Sequence, residues 1–314
     1  LRVRIAQRLH AGRYGGIKVY FAARFDRPFS AYATWSGVQC VDGRAGAEGS
    51  DVGADLTFNA SGQAQTVELR LAISHVSIAN AKENLEAETA GKTFEAILEE
   101  AKAAWEDRLS LITIRGGSEQ QRTIFYTALY RVFQMPTVFS DVNGDYFGFD
   151  KQVHRAEGFR YFTDMSLWDT FRTVHPLYTL IAPGDQRDML VSLIAMAEQG
   201  GGWLPRWPSG NGYTNSMLGT PADIVISESY LKGIRGFDIE TAYEMMRRTA
   251  LGPTPKGAAF SGREGIEHYL EYKYCPADLM EEAVSRTFEV GWADSALANL
   301  AYYGLGNEED AALF

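Results

Sequence analysis

Residues 160–208 read RYFTDMSLWDTFRTVHPLYTLIAPGDQRDMLVSLIAMAEQGGGWLPRWP, a stretch with three tryptophans, five acidic residues and one histidine. Its apolar residues recur at three- and four-residue steps on both sides of Pro183-Gly184, and three glycines follow. This spacing predicts two successive amphipathic helices, at 167–182 and 186–199. The stretch therefore assigns the middle of the chain to a helical domain.

The same stretch carries the residue types that a polar, ring-shaped ligand such as a sugar requires. The flat apolar face of a pyranose stacks on tryptophan, and its hydroxyl groups form charge-assisted hydrogen bonds with aspartate and arginine. Trp168-Asp169, followed by Arg172 and His175, is therefore the first candidate for a ligand pocket. A buried helix, with the tryptophan in the core and the aspartate as a cap, explains these residue types equally well.

Length and composition exclude some classes of partner. The chain has 314 residues, 46% of them hydrophobic, which suits two domains better than one. The net charge is −10 and no basic run is present, so nucleic acid and anionic membranes are poor partners. No apolar run approaches the roughly 20 residues that span a bilayer. Cys40 and Cys275 match neither a metal nor a redox spacing.

The pattern changes along the chain. Residues 1–90 predict an antiparallel β-sandwich, since runs at 17–25, 31–35 and 67–73 favour strands and are separated by Gly, Asp and Ser clusters. Residues 91–117 predict a linker helix and a short strand, Leu111–Ile114. A hairpin over 138–149 is predicted to have Asn143-Gly144 at its tip.

Beyond Gly117 the helical period dominates. Besides the two helices of the opening stretch, we expect helices at about 124–133, 222–234, 239–250, 263–272 and 277–304. Consecutive amphipathic helices with short turns predict a bundle, a solenoid or an α/α toroid. The pattern gives about seven helices, whereas a closed toroid of six hairpins needs about twelve. Residues 118–314 are therefore expected to form an incomplete toroid.

Seven short motifs follow one another through this helical part. They are FYTALY (125–130), SLWDTFR (166–172), HPLYTL (175–180), GWLPRW (202–207), NSMLG (215–219), KGIRGFD (232–238) and SRTFE (285–289). Together they resemble glycoside hydrolase family 92, the calcium-dependent α-mannosidases. Residues 74–86, SHVSIANAKENLE, resemble the end of that family's N-terminal sandwich. The resemblance covers essentially the whole chain.

The resemblance implies a multi-domain β + α protein: an N-terminal antiparallel β-sandwich followed by an incomplete (α/α)6 toroid. It further implies an exo-acting, inverting α-mannosidase, with α-1,2 linkages the first choice, in which calcium contacts a mannose-containing oligosaccharide. Inversion uses an acid and a base roughly 6.5–9.5 Å apart. The family's Glu-Gly-Asn-like and Gly-Asn-Asp-Asp-Cys-Gly-like segments, which supply them, are absent here. We expect both, with much of the calcium site, beyond Phe314.

The resemblance implies that this chain contributes residues for substrate recognition. It implies that Asp169 binds distal hydroxyls of the terminal mannose, with Trp168 as a wall. Arg172 either orients Asp169 or forms a simple ion pair. The remaining candidates are rim aromatics (Trp203 and Trp207), Asn215 near the cleft, and Glu228, for which a bracing role fits equally well.

One departure from the family concerns linkage preference. Pro221 stands where many relatives carry histidine, and Asp223 occupies a position that is usually apolar. Asp223 is thus a possible specificity residue.

Two other classes stay open. A different inverting toroid glycosidase would find its acid and base among Asp164, Asp169, Asp223 and Glu228, without calcium. A non-catalytic carbohydrate-binding protein is the second alternative. By analogy with bacterial members, the resemblance implies a periplasmic, secreted or cell-surface protein. An incomplete toroid also exposes apolar surface, so we expect the chain alone to be poorly soluble.

Overall fold

The computed structural model describes residues 17–59, 62 and 65–314, together with the backbone of residues 2–8. The chain divides into two compact units, Leu1–Leu98 and Glu99–Phe314. The first unit contains six strands and one complete helix in its described part. They are β1 (Arg2–Arg8), β2 (Tyr20–Phe25), β3 (Ala31–Ser36), β4 (Gln39–Asp42), β5 (Asp51–Thr57), β6 (Leu69–Ser74) and α1 (Ile78–Thr89).

The strands of the first unit form small antiparallel sheets. One sheet has the order β1-β5-β3-β4, and β2 pairs with β6 in a second sheet. The antiparallel strands predicted within 17–25, 31–35 and 67–73 are confirmed, whereas β4 and β5 were not predicted. Ala22 and Ala72, on β2 and β6, form a small core with Ala81 and Leu85 of α1. The Ser77 hydroxyl caps α1 by accepting from the Asn80 N–H.

Helices dominate the second unit, and α2 (Phe94–Leu109) runs into it from the first. The other helices are α3 (Glu119–Val132), α4 (Leu167–Thr170), α5 (Val174–Ile181), α6 (Pro183–Gln199), α7 (Pro221–Leu231), α8 (Ile239–Leu251), α9 (Ile266–Tyr272), α10 (Ala283–Asn299) and α11 (Glu308–Leu313). A π-helical turn, Leu300–Leu305, continues α10. The short strands are β7 (Thr137–Val138), β8 (Asp145–Phe147), β9 (Val153–Arg155), β10 (Phe162–Thr163), β11 (Pro208–Ser209) and β12 (Gly212–Tyr213).

The helix predicted over 167–182 is broken into α4 and α5. Residues 171–173 between them are not helical, and Thr173 has φ −146° and ψ −41°. Pro176 explains the position of the break, because proline has no N–H to donate to the carbonyl of Arg172 and is tolerated only in a first helical turn. The break leaves Trp168-Asp169 in a single turn of helix.

Two predicted β-segments are also wrong. Leu111–Ile114 is not a strand; instead Tyr126 of α3 uses its hydroxyl to bond the Ile112 carbonyl at 3.3 Å and the Ile114 N–H at 3.4 Å. Asn143-Gly144 does lie in a turn, since the Gly144 N–H donates to the Asp141 carbonyl at 2.9 Å. The flanking strands, however, pair elsewhere: β7 with β10 and β8 with β9.

The main hydrophobic core lies among the helices of the second unit. The side chains of α6 that face it include Leu190, Leu193 and Met196, all fully buried. α7 is buried along most of its length, from Pro221 to Ser227. Burying a leucine-sized side chain contributes roughly 1.5–3 kcal/mol. α6 and α7 therefore form the buried centre of the second unit, and the shorter, less regular α4 packs against α7.

Candidate functional site

The Trp168-Asp169 pair lies in α4, which is held at its start by the fully buried Leu167. The Asp169 N–H bonds to the Ser166 carbonyl at 3.0 Å. The Asp169 side chain is exposed, and within the part of the chain that the structure describes its carboxylate has no hydrogen-bond or ion-pair partner. An aspartate directed into solvent is available to a ligand and is not acting as a cap. The exposed carboxylate does not fit the alternative in which the aspartate caps a buried helix, and the ligand-pocket interpretation stays a prediction.

Arg172 pairs with a residue that the sequence analysis did not single out. Its Nη2 donates to Glu289 Oε1 of α10 at 3.1 Å, and Trp168 Nε1 donates to the same oxygen at 3.0 Å. Arg172 therefore forms an ion pair with Glu289 and not with Asp169. Its guanidinium carbon also lies 4.6 Å from the ring centroid of Trp168 and 5.5 Å from that of Trp292, within cation–π range.

A cavity of about 560 Å³ opens beside this segment. It lies between α5, α7 and α10 and is lined by Phe171, Arg172, Pro176, Ile224, Ser227, Glu228, Leu231, Lys232, Trp292, Ser295, Ala296, Asn299 and Tyr303. The volume lies within the range of small-ligand pockets, roughly 300–1,000 Å³. Two of the predicted site residues, Arg172 and Glu228, thus line one cavity.

The polar groups of this cavity differ in how they are satisfied. Glu228 pairs with Lys232 one turn along α7, at 2.6 Å, which agrees with the bracing role as well as with a place in the cavity. The buried hydroxyl of Ser227 has no hydrogen-bond partner among the described residues. A buried hydroxyl without a partner is unfavourable, so the cavity wall retains hydrogen-bonding capacity for a guest.

The other predicted site residues lie apart from this cavity. Trp203 is 9% exposed and belongs to the main core, so its predicted position at a rim is wrong. The glycines around it made a surface loop the natural expectation, but Gly202 lets Arg248 lie over the indole instead, 5.4 Å from its centroid. Trp207 is partly exposed, and its carbonyl accepts from the Thr214 N–H and hydroxyl.

Asn215 is exposed and held in a left-handed conformation, with φ 51°. The buried Arg206 donates to its Oδ1 at 3.1 Å, and the Asn215 amide donates to Glu264 at 3.2 Å. Arg206 also bonds the Met217 carbonyl. Arg206 was missed in the sequence analysis, although it lies between the two tryptophans of GWLPRW and fixes the loop that carries Asn215.

Asp223 is not at the surface. It is 1% exposed, its carboxylate accepts from Arg263 Nη2 at 3.2 Å, and Arg263 also bonds Asp294. Burial raises the pKa of Asp223 to about 6, because desolvation outweighs the attraction of Arg263. Asp223 therefore braces α7 from inside the helical unit, which contradicts the idea that it touches substrate as a specificity residue.

His175 is likewise buried. Its Nδ1 lies 2.9 Å from Gln186 Oε1, and since the Gln186 amide donates to Ser229, that oxygen accepts from the imidazole. Burial lowers the pKa of His175 to about 4, so the ring is neutral at physiological pH. A neutral, buried histidine bonded to a glutamine is a structural group of the α5–α6 contact.

The four carboxylates considered as an acid–base pair differ in their exposure and in their partners. Asp164 Oδ1 accepts from the Ser209 hydroxyl at 2.9 Å and from the Gly210 N–H at 3.2 Å. Asp223 is buried and Glu228 is paired with Lys232, which leaves Asp169 as the one exposed carboxylate of the four without a partner. This argues against an inverting glycosidase whose catalytic pair lies within these residues.

No group of three or more His, Cys, Asp or Glu side chains suited to a metal ion occurs among the described residues. Calcium takes six to eight oxygen ligands, usually with several carboxylates, so this part of the chain does not fit a complete calcium site. No helix in the described ranges is long and apolar enough to cross a membrane.

Similarity to curated sequences covers most of the chain. An uncharacterized secreted glycosidase of Arthroderma benhamiae is 28% identical over 275 residues, which is 82% of this chain and 30% of that protein.

Solved structures are similar over almost the whole chain. A family GH92 α-mannosidase of Bacteroides thetaiotaomicron superposes with a TM-score of 0.87 at 29% identity, covering 99% of this chain and 41% of that one. The same mannosidase has been solved in complex with mannoimidazole. A family GH92 inverting mannosidase of that bacterium gives a TM-score of 0.90 at 28% identity, with 99% and 42% coverage. The chain thus spans about two fifths of these structures.

Two family models account for both units of the chain. The glycosyl hydrolase family 92 N-terminal domain matches residues 5–74, and the family 92 catalytic domain matches residues 80–314. These matches agree with the order of antiparallel sheets and then helices along the chain. This chain belongs to glycoside hydrolase family 92.

Proposed function

We propose that this chain is part of an exo-acting, inverting α-mannosidase that removes terminal mannose from mannose-rich glycans, with α-1,2 linkages as its first substrate. Family membership and the solved mannosidases that superpose on 99% of the chain support the proposal. The observation that carries it is the exposed carboxylate of Asp169, which has no partner among the described residues and follows a half-buried tryptophan.

The role of each side chain follows from its surroundings. Asp169 accepts hydrogen bonds from two hydroxyls of the terminal mannose, which a carboxylate does strongly because the acceptor is charged. Trp168 is a wall, since Glu289 holds its indole N–H. Arg172 contributes little net charge, because Glu289 balances it at 3.1 Å. Asn215 and Trp207 are assigned to the outer part of the site, where each keeps exposed surface.

The complete enzyme is proposed to contain more than this sequence. The chain spans 41% of a solved mannosidase that it matches, and its described residues contain no group of three or more His, Cys, Asp or Glu side chains suited to a metal ion. We assign the catalytic acid, the base and most calcium ligands to the remainder. The proposed architecture is a β-sandwich (1–90), a linker (91–117) and the first half of an (α/α)6 toroid (118–314). A secreted or periplasmic location is proposed from the secreted relative.

The test uses the protein encoded by the natural reading frame that contains this sequence. Mannose release is measured on α-1,2-, α-1,3-, α-1,4- and α-1,6-mannobiose, and proton NMR identifies the first anomer formed. We expect β-mannose, released fastest from the α-1,2 disaccharide, and loss of activity with EGTA that added calcium restores.

Separate outcomes overturn separate parts of the proposal. Initial release of α-mannose contradicts inversion, and full activity in EGTA contradicts the calcium site. Hydrolysis of glucosides with no action on mannosides contradicts the substrate class. Saturable mannose binding without turnover on any substrate favours a carbohydrate-binding protein instead.

A further inference from the structure

Glu289 contacts the residues on both sides of Asp169. Its Oε1 accepts from Trp168 Nε1 at 3.0 Å and from Arg172 Nη2 at 3.1 Å. Trp168 directly precedes Asp169, and Arg172 follows it by three positions. The Glu289 side chain is 13% exposed, so this hydrogen-bonded ion pair is partly shielded from water, which strengthens it. One carboxylate oxygen on α10 therefore anchors the short segment that carries Asp169.

The α4 turn cannot hold Asp169 by itself. It has four residues, its N-cap residue Ser166 makes no side-chain capping bond, and residues 171–173 after it are not helical. A single helical turn is unstable in water because few hydrogen bonds offset the entropy of ordering it. The position of Asp169 must therefore be set by contacts that hold α4 from outside.

A second candidate segment packs on the same glutamate. Gly219, which ends the NSMLG motif, has φ +69°, and a Cβ built on it would lie 2.8 Å from the Cβ and 3.3 Å from Oε2 of Glu289. A side chain at this position would be strained by its backbone and would collide with the glutamate. Glu289 thus lies where the segments carrying Asp169 and Asn215 meet.

We propose that Glu289 is a positioning residue of the sugar site: it fixes Asp169 through Trp168 and Arg172 without touching the sugar. The inference rests on the proposed function, because it assigns a role within the same site.

The experiment compares three substitutions in the protein from the natural reading frame, with the dissociation constant for mannoimidazole measured by calorimetry. Glu289→Asp withdraws the carboxylate by about 1.5 Å, one C–C bond, and is expected to weaken binding about tenfold or more. Glu289→Gln keeps an acceptor oxygen at the same place and is expected to stay within about threefold of wild type. Glu244→Gln, an exposed glutamate on α8, is the matched control and should change nothing.

A double variant separates positioning from general damage. If Glu289 acts through Asp169, then Asp169→Asn with Glu289→Asp binds no more weakly than Asp169→Asn alone, because coupled residues are not additive. Three outcomes each overturn the inference. The losses of binding free energy in the double variant are additive, Glu289→Asp binds mannoimidazole as tightly as wild type, or Glu289→Gln binds it as weakly as Glu289→Asp. Thermal melting of every variant checks the fold.

Failure of the proposed function looks different from failure of this inference. If wild type does not bind mannoimidazole, or Asp169→Asn binds it normally, the mannose site itself is wrong and the inference falls with it. If Asp169→Asn weakens binding and Glu289→Asp does not, only the positioning role is wrong.

Discussion

Removal of Arg263 is expected to destabilise the helical unit more than any surface change. Arg263 is 1% exposed in its side chain and bonds the Thr220 hydroxyl, Asp223 and Asp294. In Arg263→Ala the fully buried Asp223 keeps Thr220 as its hydrogen-bond donor and loses its cation. Breaking a buried ion pair from one side costs roughly 3–5 kcal/mol. We expect a loss of about 4 kcal/mol at pH 8.

The loss has a distinctive pH dependence. In wild type the pKa of Asp223 is raised to about 6, so its contribution to stability falls between pH 4 and 6 and is constant above. Without Arg263 this pKa rises further, and the native state then holds a proton that the unfolded state has lost. Between pH 6 and 8 the variant alone should lose stability, by up to about 1.4 kcal/mol per pH unit.

Urea unfolding followed by tryptophan fluorescence measures this effect on the 314-residue chain at submicromolar concentration. Five of the six tryptophans lie in Glu99–Phe314, so the signal reports that unit. Arg263→Lys keeps the positive charge but not the planar guanidinium, and it should lose less stability than Arg263→Ala. Arg115→Ala, at an exposed arginine, should stay within about 0.5 kcal/mol of wild type. If Arg263→Ala lowers the free energy of unfolding by less than about 1 kcal/mol, or by the same amount at pH 6 and 8, the proposed role of Arg263 as the buried partner of Asp223 is wrong.

Two further predictions concern the same chain. The pKa of His175 is lowered to about 4, so as the pH falls from about 6.5 to 4 the unfolded state takes up the proton first and the wild type loses stability. His175→Gln should remove this pH dependence of the free energy of unfolding, which amounts to up to about 3 kcal/mol across that window and is measured by urea unfolding. A pH dependence that is unchanged in the variant contradicts the burial argument. Two apolar side chains of α10 are exposed, Val284 at 70% and Phe288 at 73%, and they should make the chain self-associate. In sedimentation velocity, the double variant Val284→Ser with Phe288→Ser should contain more monomer than the wild type. A wild-type chain that stays monomeric at high concentration rules out this self-association.

The part of the candidate site that the sequence indicates is local, because Trp168 and Asp169 are neighbours in the chain and their residue types suit a sugar. The order of strands and then helices was predicted from a change of hydrophobic period near residue 90, and the described strands and helices follow that order. The helix predicted at about 222–234 is α7, and the structure buries most of it.

What sequence patterns missed depends on contacts between distant residues. Glu289 meets Trp168 across 121 positions, and no periodicity within SRTFE distinguishes a glutamate facing α4 from one facing solvent. Trp203 was expected at a rim because glycines precede it, yet Gly202 leaves room for Arg248 beside the ring. Asp223 was considered as a specificity residue because it occupies a position that is usually apolar in the family. Its cation, Arg263, lies 40 residues away, and no local sequence pattern indicates that pair.

The most direct measurement is a crystal structure of the protein from the natural reading frame with mannoimidazole bound. We predict that the Asp169 carboxylate oxygens lie within about 2.5–3.2 Å of two sugar hydroxyls and that Glu289 keeps its bonds to Trp168 and Arg172. A sugar bound elsewhere, with the Asp169 carboxylate still in solvent, would contradict it.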